Sequence, residues 1–96
     1  MTSMRRIERT GAFKRDFNRV VEGPHRDTVI LDLVLIVVAL ANDQSLAEKY
    51  RDHALTGEWS DHRDCHVKPD LVLIYRKPDA ASLQLVRLGS HSEPGL

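Results

Sequence analysis

The sequence predicts an α+β domain: two N-terminal helices packed on one face of a small antiparallel sheet, in the order β-α-α-β-β-β. Three observations carry this. Apolar residues recur at helical spacing in the first half, at Phe13, Phe17, Val20 and Val21. The longest apolar run, Val29 to Ala41, exceeds the length of an ordinary strand. After Trp59 the pattern changes to short apolar runs separated by Lys68-Pro69-Asp70 and Lys77-Pro78-Asp79-Ala80, where proline suits a turn. Helices and strands in separate blocks put the helices on one sheet face and leave the other face for a site. At 96 residues, positions 1–96 form a single domain.

Each element follows in order. Residues 4–9 form an edge strand. Thr10 caps the first helix, whose apolar face is Phe13, Phe17, Val20 and Val21 and whose exposed side carries Lys14, Arg15 and Arg19. Gly23-Pro24 ends it. The segment from His25 to Ala41 is rich in β-branched residues, which favours strand, but its length and the lack of an internal turn make it a helix. Asn42-Asp43 closes it. Ser45 to Asp52 is a short polar helix or loop, and His53 to Gly57 is a loop. Three strands follow, at Trp59 to Val67, Leu71 to Arg76 and Ser82 to Leu88. Gly89 breaks the last, and His91 to Leu96 is a short tail.

Composition bounds the function. Fourteen basic residues balance fourteen acidic ones, so no global charge selects a polyanionic partner. The charge is uneven, however. Residues 1–26 hold seven basic side chains against Glu8, Asp16 and Glu22. The single cysteine, Cys65, has no intramolecular partner, which fits a reducing cytoplasm. Arginines come too early for the apolar region of a secretory signal, so none is expected. The 13-residue run from Val29 contains Asp32 and falls short of the roughly 20 residues a membrane span needs, so no membrane role is expected.

Unusual chemistry gathers in the second half. Strand alternation puts His62, Asp64 and His66 on one face and Arg63, Cys65 and Val67 on the other. The turn at Lys68-Pro69 keeps His66 near Asp70. His53 and His91 sit beside strand ends, with Arg87 close to His91 in sequence. Imidazoles that gain and lose protons near neutral pH, beside a fixed guanidinium, suit phosphodiester cleavage. A second reading is a metal site on His62, Asp64 and His66, although neither a CxxC nor an HExxH spacing is present. Each histidine taken singly is more simply a surface or hydrogen-bonded residue.

Three stretches carry a resemblance: Tyr50-Arg-Asp-His53-Ala-Leu-Thr-Gly57-Glu-Trp59, then Arg63-Asp64-Cys-His66-Val-Lys-Pro69-Asp70-Leu-Val-Leu-Ile-Tyr75, then Arg87-Leu-Gly89-Ser-His91. Together they resemble the YafQ branch of the RelE-type bacterial toxins, the mRNA-cleaving members of type II toxin–antitoxin pairs. The resemblance implies a cytoplasmic, ribosome-dependent endoribonuclease that needs no metal or other cofactor. By position it implies His53, His66, Asp70 and His91 as catalytic residues, with Asp64 orienting a histidine and Arg87 meeting phosphate. It also implies an antitoxin partner, in a toxin–antitoxin heterotetramer, and contacts to ribosome and mRNA. Ribosomal RNA then falls to the basic set Arg5, Arg6, Lys14, Arg15 and Arg19. Two positions depart from the family pattern, Gly95 and Leu71, where an aromatic residue for base stacking often stands. The alternative is a weakened toxin fold that binds its antitoxin without cutting RNA. His25 and His62 match nothing in the family and are expected at the surface.

Overall fold

The computed structural model describes residues 4–23 and 26–90; Pro24, His25 and His91 lie outside them. Strand β1 (Arg6–Arg9) leads into helix α1 (Gly11–Val21), and helix α2 (Arg26–Ala41) follows. Strands β2 (His53–Ala54), β3 (Arg63–Lys68), β4 (Leu71–Arg76) and β5 (Ser82–Ser90) complete one five-stranded sheet in the order β1-β5-β4-β3-β2. Thr10 caps α1 as expected: its hydroxyl accepts from the Phe13 backbone N–H at 3.0 Å. Asp43, at φ 58°, closes α2, and the backbone N–H of Gln44 reaches back to the Ala39 carbonyl.

The sheet is antiparallel except at one edge. β1 runs parallel to β5, pairing Arg6 with Ser82 through Arg9 with Leu85. α1 then crosses the part of β5 that β1 does not reach, and the Thr10 hydroxyl donates to the Val86 carbonyl there. The core lies between the helices and one sheet face. Phe13, Val29, Leu33, Ile36, Val37 and Leu40 meet Cys65, Val67, Leu73, Tyr75, Leu83, Leu85 and Leu88. Burial pushes the Cys65 thiol up to about 12, with the Asp52 and Asp64 charges adding to it, so it stays a neutral core side chain. Beyond its polar first turn and Asp32, α2 is apolar on its outer as well as its inner side, and Leu31, Val34 and Leu35 are more than half exposed.

Four sequence expectations need correction. His53–Gly57 is not all loop, because His53 and Ala54 pair with Asp64 and Arg63 as β2. The strand expected from Trp59 starts only at Arg63. Gly57, at φ 68°, opens a tight 3-10 turn, and His62 donates its backbone N–H to the Trp59 carbonyl at 2.8 Å. His62 therefore does not alternate with Asp64 within a strand, nor is it a plain surface residue. It is half-buried, its ring edge-on to Trp59 at 5.0 Å. Gly89 does not break the last strand: it pairs with Val72, and β5 runs on to Ser90.

Candidate active site

Register assembles the site. Across β2, β3, β4 and β5, His53 lies opposite Asp64, Asp64 opposite Ile74, and Ile74 opposite Arg87. Directly paired residues share a sheet face, so these four form one cross-strand row. Two residues along, His66, Val72 and Gly89 form the next row. Val72 and Ile74 are buried, yet neither belongs to the core beneath the helices. His53, Asp64, Ile74, His66 and Val72 thus lie on the face away from the helical core, with Gly89 adding no side chain, while Arg87 stands where β5 has passed the end of β1 and reaches α1.

His53 and Asp64 meet directly. His53 Nε2 stands 3.1 Å from Asp64 Oδ1. This is ion-pair distance without hydrogen-bond alignment, since Oδ1 is buried with no hydrogen-bond partner among the described residues. The ring is half exposed while the carboxylate is almost fully covered. At the other nitrogen, His53 Nδ1 lies 2.7 Å from the Arg51 carbonyl oxygen, which can only accept. Both ring nitrogens therefore face oxygen atoms, Nδ1 at hydrogen-bond distance and Nε2 at ion-pair distance.

His66 is set differently. Its Nδ1 lies 3.2 Å from the Pro69 carbonyl, so Nδ1–H donates there. It lines a cleft of about 510 Å³ with Lys49, Tyr50, Arg51, Lys68 and Pro69. Lys49 and Arg51 are exposed, and Lys68 is bound to Asp32 at 2.7 Å. Cationic walls around an imidazole suit a phosphate-bearing ligand. Asp70 is exposed in the turn beside Pro69.

Arg87 is held, and its partner was not foreseen. Asp16, in the middle of α1, accepts Arg87 Nε at 2.7 Å and Nη2 at 3.3 Å, the Leu88 backbone N–H at 2.9 Å, and Arg19 Nη2 at 3.2 Å. Burial would raise the Asp16 carboxyl, but the bonds from Arg87 and Leu88 and the charges of Arg87 and Arg19 outweigh it. They hold Asp16 below the usual carboxylate range. In the sequence Asp16 reads only as a surface charge between Phe13 and Phe17. Nothing local announces a partner 71 residues away.

The five basic residues expected at RNA divide. Lys14 and Arg15 are exposed on α1. Arg6 pairs with Glu8, and Arg19 with Asp16. Arg5 is drawn inward: its side chain is 15% exposed, paired with Asp43 and hydrogen-bonded to the carbonyls of Asp79 and Ser82. As for the metal reading, no group of three or more His, Cys, Asp or Glu is placed to hold an ion among the described residues. Nor is any of their helices long and apolar enough to cross a membrane.

Two helices on a mostly antiparallel sheet, with a His–Asp pair on the far face, define the class as that of the small α+β bacterial toxins. Residues 5–94 match the family described as the bacterial toxin of type II toxin–antitoxin systems, YafQ, and the chain belongs to that family. It is 35% identical over 88 residues to the mRNA interferase toxin YafQ of Escherichia coli K12, covering 92% of each. A copper-bound mutant toxin from Helicobacter pylori superposes with a TM-score of 0.82 at 36% identity, covering 95% of this chain and 99% of that one. YafQ in the E. coli DinJ–YafQ toxin–antitoxin complex superposes with a TM-score of 0.77 at 33% identity, covering 94% and 96%.

Proposed function

We propose that this toxin is a ribosome-dependent endoribonuclease that cuts mRNA by acid–base chemistry without a metal. The observation that carries the reading is the His53–Asp64 pair beside the cationic His66 cleft. The E. coli relative's description as an mRNA interferase supports it. The reaction needs a base, an acid and a cation. His66, held through Nδ1 on the Pro69 carbonyl, is the base that takes the proton from a ribose 2′-hydroxyl. The freed oxygen attacks the adjacent phosphorus and forms a cyclic phosphate. The bond to the 5′-oxygen breaks, and a protonated imidazole gives that oxygen its proton. His53, with Nδ1 on the Arg51 carbonyl and Asp64 beside Nε2, is placed for that role. His91, outside the described residues, is the other acid–base candidate. Asp70 supplies charge near His66.

Arg87 stabilises the added negative charge on phosphorus. Two bonds to Asp16 hold its guanidinium in place for that contact. Lys14, Arg15, Arg6 and Arg19 serve the ribosomal RNA, while Arg5 serves the fold. A small antitoxin binds the toxin, as the DinJ–YafQ complex supports, and the pair assembles in the cytoplasm as a heterotetramer. The test is cleavage of a defined mRNA with and without programmed ribosomes, with EDTA, beside His53→Ala. Cutting that needs ribosomes, survives EDTA and is lost in the variant is the expected result. No cutting by a folded wild-type chain that still binds its antitoxin would overturn the enzyme and leave a binding module.

A further inference from the structure

His53 sits on the shortest strand of the sheet. β2 is two residues long and is joined to β3 by two residue pairs. Just before it the backbone reverses sharply: Arg51 adopts φ 50°, ψ 42°, a left-handed conformation that costs a residue with a Cβ about 1–2 kcal/mol. A strand this short, next to a strained residue, has little of its own to fix a side-chain direction. Something else must hold it.

The residue between the two is Asp52. Its Oδ1 accepts the Tyr75 hydroxyl at 2.6 Å and Arg63 Nε at 3.2 Å. Tyr75 is 1% exposed, rooted in the core on β4, and lies directly opposite Arg63. Burial raises the Tyr75 hydroxyl well above the ordinary phenol range, and its bond to Asp52 raises it further, so it stays a proton donor. Neighbouring residues of an extended chain point to opposite faces. With Asp52 drawn to the Tyr75 side, His53 is turned to the Asp64 side.

We propose that Asp52, clamped by the Tyr75 hydroxyl and Arg63, is a positioning residue that sets the His53 ring between the Arg51 carbonyl and Asp64. The catalytic consequence rests on the function proposed above; the geometric consequence does not. Loss of the Tyr75 hydroxyl leaves the ring of residue 75 in the core but frees Asp52 to rotate. The Arg51 carbonyl then loses its fixed place against Nδ1, and the imidazole samples other tilts.

The experiment uses the full chain, with Tyr75→Phe as the main variant and Asp52→Ala as a second that removes the clamped carboxylate. Two readouts are taken. One is the ring N–H proton of His53 in nitrogen-15 NMR, assigned by its absence from His53→Ala. The other is ribosome-dependent mRNA cleavage, with kcat and KM separated. Both variants are expected to lose the slowly exchanging Nδ1–H signal. They are expected to lower kcat by roughly 5-fold or more, about the effect of one hydrogen bond, with KM unchanged. Tyr75→Phe should have no further effect in the His53→Ala background. An unchanged ring signal and kcat in both variants would overturn the proposal. So would a Tyr75→Phe loss that persists in His53→Ala, since that is a purely structural role. If the wild type cuts nothing yet the ring signal is lost in both variants, the enzymatic reading falls and the clamp stands.

Discussion

Asp16 and Asp64 are both buried carboxylates, one beside an arginine and one beside a histidine, and they are built in opposite ways. Asp16 receives four donors from three residues, and its arginine is bound through two nitrogens. Asp64 faces one imidazole at 3.1 Å with no in-line hydrogen bond, and that imidazole is half exposed. The first arrangement is a lock. It fixes α1 to the end of β5 and holds the Arg87 guanidinium in a constant place. The second is poised. A group that transfers protons must reach solvent or substrate and must be able to change its charge, which a fully satisfied network would oppose. A carboxylate held by its last lone pair cannot respond; one facing a single movable ring can.

This contrast predicts different failures at the two ends of the site. On the poised side, His53→Ala should cost activity by about 10²–10⁴-fold, the usual worth of a general acid or base, while Tm stays nearly constant. A large Tm loss would mean that the His53–Asp64 pair is structural after all. On the locked side, Arg87→Ala leaves a buried carboxylate without its main partner, which destabilises by about 3–5 kcal/mol. For a domain of this size that lowers Tm by at least 10 °C, at roughly 4–8 °C per kcal/mol. Asp16→Asn with Arg87 intact should cost less, because a carbonyl oxygen still accepts from Leu88 N–H. A Tm for Arg87→Ala within a degree of wild type would break the contrast.

The two regions were also unequally legible. Asp64 could be found from sequence because a strand repeats every two residues, so His66 and Asp64 declare a common face. The β3–β4 turn was equally plain, since a proline between two apolar runs leaves few alternatives. The apolar length of α2 outweighed its β-branched composition, and the helix is there. What stayed hidden depended on distant partners. Asp16 looked like one charge on an amphipathic helix, and Asp52 sat inside a motif without a role. Neither declares that it will meet Arg87 or Tyr75, because those contacts exist only once the sheet has closed. β2 was missed for the same reason: two residues carry no periodicity, and their pairing with β3 makes them a strand.

The smallest predicted effect separates the ends by pH. Burial, with Arg76 nearby, holds the His62 imidazole below its ordinary value of 6.5, and His62 immediately precedes β3 on the Asp64 side. The unfolded chain then takes up a proton on His62 before the folded one does. Stability from keeping that ring neutral is complete above about pH 6.5 and is lost as pH falls toward the lower folded value. Asp16 is shifted the same way but from a carboxylate's starting point. Its contribution is complete above about pH 4 and is lost only as pH falls further. Thermal unfolding followed from pH 7.5 to 3 should therefore show two declines in Tm. His62→Phe, which keeps a ring against Trp59, should flatten the upper one and leave the lower. Asp16→Asn should lower Tm throughout and flatten the lower one. If both variants changed the same pH interval, the two ends would be one coupled network, and the separation of lock from poised pair would fail.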